Sequence, residues 1–391
     1  MKTSQNKTAL AIIALFVVMP GVLIVNPAIQ TIAEAYPTIS YTMVLMISTI
    51  PLLIVVPMSL ISGAIAGNKV RYKPLLAVSM LLYISGGSMP FLFRDFYAVL
   101  AGRVIYGIGV GLLTPLANGL VIQLYEGQKQ ANMMGIGAMV INVASTIFML
   151  LSGWLSAINL HWIWLIHLIC IVPLVLMMLY LPEPEKVKEQ QQQIKVKMPI
   201  SVYLLSAATI FFYMNQSTTL LTMSTIITTE NIGNATTAGT VLALYTVGGI
   251  LGGSIFGKYF QLFGKRTNPS ALVLMSLGWG IVYFAGTIPL IIIGCMIAGI
   301  GFFILYPGLV LDAGHRVPVA ASAMVSAMIL SSINFGGFLA SLYIGLLSQL
   351  FSNPSPRLPT LVSMAALLIG AVIWGAITIS RSVAKKLTDN L

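Results

Sequence analysis

The chain alternates long apolar runs with short polar segments. An α-helix rises about 1.5 Å per residue, so about 20 apolar residues are enough to cross the hydrocarbon core of a bilayer. By this measure the sequence predicts an all-α membrane protein with twelve transmembrane helices. Their approximate limits are 9–32, 41–66, 74–93, 96–123, 131–155, 162–180, 200–228, 238–260, 268–287, 289–311, 319–347 and 358–380.

The longest polar segment, residues 182–198, separates the first six spans from the last six. Pro182 and Pro184 end the sixth helix, and the mixed charges that follow favour water over a packed interior. We therefore predict a first six-helix bundle over 1–181, a cytosolic linker over 182–198 and a second six-helix bundle over 199–391.

Composition and charge agree with a membrane protein. The chain is 58% hydrophobic and 7% charged, whereas soluble domains have about 25% charged residues. Of its 20 Lys and Arg residues, all but Arg94, Arg357 and Arg103 lie at one end of the predicted spans. Because basic loops stay on the cytoplasmic side, we predict a multi-pass protein of the inner, cytoplasmic membrane with both termini in the cytoplasm. The net charge of +11 then serves topology and not nucleic-acid binding.

Two stretches of the chain repeat each other. GRVIYGIGVGLLTP at 102–115 and GCMIAGIGFFILYP at 294–307 are 192 positions apart and identical at seven of fourteen positions. Gly67 and Gly257 repeat at an offset of 190, and Asn142 and Asn334 at 192. A duplication of like orientation predicts two bundles related by a pseudo-two-fold axis along the membrane normal, with a substrate site between them near the midplane.

These features resemble the major facilitator superfamily of secondary transporters over the whole chain. The pattern Arg103-x3-Gly107-x-Gly109-x-Gly111 is similar to that of the 12-span drug/proton antiporter branch, where the resemblance implies that the arginine helps to couple proton movement. Two features depart from that branch: Gly67 stands where its loop pattern has Asp, and its Gly-Pro-x2-Gly-Gly pattern is missing from span five. The gating loop implied by the resemblance, with its repeat counterpart, comprises Gly63, Gly67, Lys69, Arg71, Lys73, Gly257, Lys258, Lys265 and Arg266.

Arg103 is the only charged residue in the interior of an apolar span. A charge at the bilayer centre costs about 2.5 to 3.5 kcal/mol on insertion scales, so such residues are functional candidates. We expect Arg103 to bind substrate or to couple protons. The alternative is a structural ion pair with Glu34 or Asp95.

The nine acidic residues all lie near span ends or in loops. Transporters of organic cations usually need a buried carboxylate to balance the ligand, so the sequence favours an anionic or neutral solute. The predicted proton-coupling residues are Arg103, Glu34, Glu230, Asp312 and His167, although the resemblance places span six, which carries His167, on the periphery.

Polar side chains inside the spans are the remaining candidates, because an unpaired amide in hydrocarbon is costly and must meet water, a ligand or another helix. The resemblance implies that spans one, four, seven and ten, with two, five, eight and eleven, line the cavity. The predicted substrate-binding residues are Arg103, Asn26, Gln30, Tyr106, Thr114, Asn118, Asn142, Asn215, Gln216, Tyr245, Tyr306 and Asn334. For Asn26, Asn142, Asn215 and Asn334, the alternative role is an interhelical hydrogen bond.

The sequence therefore predicts a secondary active transporter that moves an amphipathic organic solute by alternating access, coupled to protons or another ion. Bile-salt-like compounds and other lipophilic carboxylates or sulfonates fit the expected charge. The alternative is a broad-specificity multidrug/proton antiporter that exports its substrates. An enzyme has less support, because the chain lacks the paired carboxylates, metal cluster or activated nucleophile that catalysis needs. We expect a monomer without cofactor or metal.

Overall fold

The computed structural model describes residues 2–67, 69–183, 198–318, 321–351 and 355–388. Within these ranges the chain is almost entirely helical, and its only β-type pairing is an isolated bridge between Ala66 and Val70. Each of the twelve predicted spans corresponds to a helical segment. The predicted fold class, an all-α membrane protein, is confirmed.

The first six segments are numbered α1 to α6. Helix α1 runs through Lys2–Val18, a tighter 3₁₀ segment at Met19–Ala28 that contains two prolines, and Ile29–Ala35. Helix α6 begins as a 3₁₀ segment at Leu160–Cys170 and continues as Ile171–Tyr180. The four helices between them are α2 at Tyr41–Ile65, α3 at Tyr72–Leu92, α4 at Phe96–Leu124 and α5 at Gly127–Ile158.

The last six segments are numbered α7 to α12. They are α7 at Ile200–Thr229, α8 at Ala235–Phe263, α9 at Thr267–Phe284, α10 at Ile288–Gly314, α11 at Ser322–Leu350 and α12 at Leu358–Thr388. In the described part of the chain, ten helical stretches are long and apolar enough to cross a membrane. One of these covers both α8 and α9. Helix α7 is not among the ten, because it is rich in Ser and Thr.

The chain forms two compact units. The first comprises residues 1–193 and 233–243, and the second comprises 194–232 and 244–391. The beginning of α8 thus packs with the first unit and the rest of α8 with the second. Residues 184–197, which make up most of the predicted linker, lie outside the described residues, and the predicted boundary at 181/182 stays a prediction.

The sequence repeat reappears as a repeated helix crossing. In the first unit, a Cβ added at Gly86 of α3 would lie 2.7 Å from the carbonyl oxygen of Gly102 in α4. In the second unit, a Cβ at Gly278 of α9 would lie 2.5 Å from the carbonyl oxygen of Gly294 in α10. Gly278 follows Gly86 by 192 positions, and Gly294 follows Gly102 by the same number. Glycines let the two backbones approach this closely. The duplicated motif therefore forms the same kind of close crossing between α3 and α4 in the first unit and between α9 and α10 in the second.

Candidate functional site

Arg103 lies on α4 and is completely buried inside the first unit. Its Nε donates a hydrogen bond of 2.9 Å to the carbonyl oxygen of Ile47 in α2. Its guanidinium carbon lies 4.1 Å from the ring centre of Tyr106 and 5.9 Å from that of Trp164, distances at which an aromatic face attracts a cation. Its Nη2 is buried without a hydrogen-bond partner. The charge is therefore held by one carbonyl and two aromatic rings, and one of its donors is free.

His167 on α6 completes the surroundings of this guanidinium. Its Nε2 lies 3.4 Å from Nη1 of Arg103, and its Nδ1 lies 3.1 Å from the carbonyl oxygen of Trp164. Gly87 of α3 makes room for the imidazole, because a Cβ there would lie 2.3 Å from a ring carbon. The side chain is fully buried. The resemblance implies a peripheral place for the whole of span six, which stays a prediction, but the His167 side chain points from that span into the unit.

Two tyrosines close the site from the side of α1 and α3. The rings of Tyr83 and Tyr106 lie 4.7 Å apart, and the hydroxyl of Tyr83 donates to the carbonyl oxygen of Val18 at 2.8 Å. The hydroxyl of Tyr106 is buried without a partner. Gly21 of α1 leaves space for both hydroxyls. We call the set Arg103, His167, Tyr106, Tyr83 and Trp164 the Arg103 cluster.

No carboxylate joins this cluster among the described residues. Glu34 accepts a hydrogen bond of 3.0 Å from Gln30, and Asp95 caps α4 by accepting from the backbone N–H of Ala98 at 3.0 Å. Arg103 forms an ion pair with neither of these acids, so the structural ion pair offered as the alternative role is wrong. Within the described part of the chain the charge is therefore buried without a counter-ion, which is costly.

The other predicted proton carriers are engaged in bonds at helix ends. Glu230 forms a bidentate ion pair with Arg357, with Nη2 and Nε donating at 2.6 and 2.7 Å. Asp312 forms an ion pair of 2.7 Å with Arg316, four residues further along the chain. Both carboxylates therefore already balance a cation.

Gly107 and Gly111, which follow Arg103 on the same face of α4 at intervals of four residues, pack against α2. A Cβ at Gly107 would lie 2.9 Å from Cα of Pro51, and one at Gly111 would lie 3.0 Å from Cα of Val55. The small size of these glycines therefore serves close contact between α4 and α2. Further along the same helix, the hydroxyl of Thr114 donates to the carbonyl oxygen of Val110 at 2.8 Å, and Asn118 is exposed.

The second unit contains its own buried polar network around Gln216 of α7. The amide nitrogen of Gln216 donates to the hydroxyl of Tyr245 in α8 at 2.7 Å, and its amide oxygen accepts from Nε1 of Trp279 in α9 at 2.9 Å. The Tyr245 and Trp279 rings stack at 6.2 Å with 12° between their planes. Trp279 is not among the residues predicted from the sequence, although a buried indole N–H usually has an acceptor. The neighbouring Asn215 bonds within its own helix and leaves its side-chain oxygen without a partner.

We expect the hydrogen bonds of Gln216 to contribute to the stability of the protein. Replacing Gln216 by methionine, which has a similar volume, removes both hydrogen bonds and leaves the indole N–H and the tyrosine hydroxyl buried. We expect the free energy of unfolding to fall by about 1 to 3 kcal/mol, measured as a lower thermal midpoint of the detergent-solubilised protein. Asn118→Met at the exposed position of α4 is the control and should leave the midpoint unchanged. A midpoint for Gln216→Met equal to that of the wild type would contradict the network.

The remaining predicted binding residues are divided between the two units. Asn26 accepts a hydrogen bond of 2.5 Å from Ser48 within the first unit. Asn142 and Asn334 donate to carbonyl oxygens of their own helices at 2.9 and 3.1 Å, and Tyr306 is partly buried on α10. Their predicted contact with substrate stays a prediction.

A family model decides what kind of protein carries this architecture. The model of the Major Facilitator Superfamily matches residues 11–204 and again residues 205–389. The chain belongs to the major facilitator superfamily. It is therefore a membrane transporter and not an enzyme, and the two matches coincide with the two halves of the sequence repeat.

Solved structures agree with this superfamily fold. A bacterial homologue of the human lysosomal transporter Spinster, inward-facing and unoccupied, has a TM-score of 0.80 at 14% identity, over 97% of this chain and 98% of that one. A mutant of the nucleoside transporter NupG has a TM-score of 0.79 at 13% identity, over 94% and 99%. A mutant of the peptide transporter POT, in complex with sulfate, has a TM-score of 0.75 at 14% identity, over 96% and 94%. No curated protein matches the chain. At these identities the likeness concerns the fold.

The superfamily's basic loop between α2 and α3 is held by an acid that the sequence analysis did not single out. Gly67 adopts a φ of +74° and its N–H donates to the carbonyl oxygen of Val70, which forms a tight turn. The carboxylate of Glu183 then accepts from the backbone N–H groups of Tyr72 at 2.6 Å and Lys73 at 3.1 Å. The start of α3 is thereby fixed to the chain that leaves α6.

The other predicted gating residues have few contacts. Lys69 and Arg71 are exposed, and so are Lys258, Lys265 and Arg266 of the counterpart loop. A Cβ added at Gly63 or Gly257 would meet nothing within 4 Å. The role of both loops in gating stays a prediction.

Proposed function

We propose that this superfamily member is a secondary active transporter of the cytoplasmic membrane that moves an amphipathic organic solute by alternating access, coupled to protons. The preferred solutes are anionic or neutral, such as bile-salt-like compounds and other lipophilic carboxylates or sulfonates. The observation that carries the proposal is the burial of Arg103 with no carboxylate partner among the residues that the structure describes.

The buried guanidinium of Arg103 influences which sign of charge a transported solute can carry. Coulomb interactions are stronger and longer in range in a low-dielectric interior than in water, so the guanidinium attracts an anion and opposes a cation even before direct contact. Its unpartnered Nη2 can also donate to a carboxylate or sulfonate oxygen once the site opens, and arginine binds such groups well.

Neighbouring transporters support a small organic solute as the cargo. The solved structures that share the fold include transporters of nucleosides and of peptides. These solutes combine apolar and polar parts, as does the class proposed here. The shared fold does not select among these solutes, so the preference for anions rests on Arg103 and on the contacts of the acidic residues.

The multidrug/proton antiporter has less support from the contacts of its acids. Export of cationic drugs would need a carboxylate that is free to take up a proton or bind the drug. Glu230 and Asp312 already pair with arginines, and Glu34 bonds to Gln30 at the end of α1.

Uptake by proteoliposomes tests the proposed function. We expect wild-type protein to accumulate a lipophilic sulfonate when a pH gradient is imposed, and Arg103→Gln to reduce the initial rate at least tenfold. Arg94→Gln, which removes an exposed arginine, is the matched control and should transport at the wild-type rate. A folded Arg103→Gln protein that transports the sulfonate as fast as the wild type would refute the role of the guanidinium.

A further inference from the structure

The partners of His167 determine where its proton sits. The carbonyl oxygen of Trp164 can only accept, so the imidazole must donate to it through Nδ1–H. Arginine has no acceptor atom, so Nη1 of Arg103 must donate toward Nε2. Both contacts are satisfied together only by a neutral ring that carries its hydrogen on Nδ1 and a lone pair on Nε2.

Protonation of this ring and its contact with Arg103 exclude each other. A proton added to the lone pair of Nε2 leaves two N–H groups facing each other across 3.4 Å. It also places two like charges side by side in an interior of low dielectric, where their repulsion is large. The protonated ring keeps its bond to Trp164, because Nδ1–H is unchanged. Only the guanidinium must therefore move away.

The described groups around His167 offer no carboxylate that could hold a charged imidazole in this arrangement. Helix α4 contributes Arg103 and Tyr106, α3 contributes Tyr83 beside Gly87, and α6 itself contributes Trp164. Cys170 of α6 lies beside Tyr83. Helix α1 contributes the backbone of Val18 and, in its 3₁₀ segment, Gly21, both of which lie beside the hydroxyl of Tyr83. The only ionised side chain in this set is Arg103.

A displaced guanidinium would still need an acceptor. Arg103 also loses a favourable contact with an imidazole lone pair while its Nη2 is already unpartnered. An anionic solute can supply the missing acceptor, and a charge-assisted hydrogen bond to a carboxylate or sulfonate is stronger than a neutral one. The state that holds a proton on His167 is therefore also the state in which Arg103 is available to the anion.

We propose that His167 is the proton-binding residue that couples protons to solute: its protonation releases Arg103 from the imidazole, and the released guanidinium binds the anionic group of the solute. This inference rests on the proposed function. It adds the direction of coupling, because a proton and an anion that favour the same state bind cooperatively and each strengthens the other. The transporter is then a proton/anion symporter.

Solute exchange at several pH values tests this coupling. The probe is a lipophilic sulfonate, which stays ionised throughout, and the transport assay is exchange across proteoliposomes without a pH gradient at pH 5.5 to 8. For the wild type we expect the half-saturation concentration to fall at least fivefold on acidification. In His167→Gln, which keeps a hydrogen-bonding amide but cannot titrate, exchange should lose its pH dependence, and accumulation driven by a pH gradient should fall at least tenfold.

His161→Gln is the matched control, because His161 lies at the start of the same helix and outside the Arg103 cluster. It should keep both the pH dependence and the accumulation. If His167→Gln keeps them as well, the proposal is wrong. If a folded His167→Gln protein loses exchange at every pH, His167 has a structural role and the coupling is also wrong. If the wild type exchanges no sulfonate, carboxylate or neutral analogue at any pH, the proposed function itself fails.

Nitrogen NMR gives a second readout that does not depend on transport. The chain has three histidines, so ¹⁵N-imidazole labelling should yield three resolvable sets of ring signals. We expect one set, absent from His167→Gln, to show the neutral form with hydrogen on Nδ1 in the solute-free protein. A neutral ring with hydrogen on Nε2, or a charged ring at pH 8, would overturn the assignment.

Discussion

Replacing Gly109 by alanine is expected to destabilise the protein, although alanine is the better helix former. A Cβ at Gly109 of α4 would lie 2.4 Å from the backbone nitrogen of Tyr83 and 2.7 Å from the carbonyl oxygen of Ser79 in α3. Backbone atoms of a packed helix cannot move aside separately, so the two helices must separate. Overpacking of this kind costs roughly 1 to 3 kcal/mol, against a gain of up to about 1 kcal/mol from helix propensity. Gly109→Leu should prevent folding.

The equivalent substitution in the second unit, Gly301→Ala, should also destabilise the protein. Gly301 is the counterpart of Gly109 at an offset of 192, and its Cβ would lie 2.8 Å from the backbone nitrogen of Met275. Gly253→Ala on α8 is the control, because a Cβ there meets nothing within 4 Å. We expect thermal midpoints to fall for Gly109→Ala and Gly301→Ala and to stay level or rise for Gly253→Ala. Equal midpoints for all three variants would contradict the repeated crossing.

Arg357→Ala is expected to produce the second large loss of stability. Arg357 donates to both carboxylate oxygens of Glu230 and, through Nη1, to the carbonyl oxygens of Val282 and Tyr283 at 2.9 and 2.7 Å. It therefore joins the end of α7, the end of α9 and the start of α12. Hydrogen bonds to charged groups contribute about 1.5 to 3 kcal/mol each. Because the arginine side chain is 13% and the glutamate side chain 28% exposed, we expect a total loss of about 3 kcal/mol.

Two further variants separate the ion pair from the carbonyl contacts. Arg357→Lys keeps the charge but cannot bridge the carboxylate and the two carbonyls together, so it should recover less than half of the loss. Glu230→Gln should cost less than Arg357→Ala, because the carbonyl contacts remain. Thermal midpoints measure all three. If Arg357→Ala has the same thermal midpoint as the wild type, the contacts of Arg357 contribute nothing to stability, which would contradict this prediction.

The helices and the repeat could be predicted from the sequence because both depend on local composition. Apolar runs of membrane-spanning length located every helix, and the positions shared by 102–115 and 294–307 predicted a duplication that the structure repeats in its helix crossings. Arg103 was found for the same reason: a charge in an apolar run is visible without any structure.

The partners of Arg103 could not be predicted, because they come from distant parts of the chain. His167 is 64 residues from Arg103, and Ile47, whose carbonyl accepts from it, is 56 residues away. The expected carboxylate partners would have satisfied the charge more simply, but the structure uses a carbonyl, an imidazole and aromatic faces. Trp279 was missed for a similar reason, since its acceptor on Gln216 is 63 residues away.

The central claim is that Arg103, which is buried with no counter-ion in the described ranges, selects the solute, and the sign of charge that the wild-type protein prefers tests it most directly. Exchange should be measured in proteoliposomes for three solutes with one apolar body that ends in a sulfonate, an uncharged amide or a quaternary ammonium group. We predict the highest kcat/KM for the sulfonate, a lower value for the amide, and a value at least tenfold below that of the sulfonate for the ammonium compound. Preferential exchange of the ammonium compound would contradict the account.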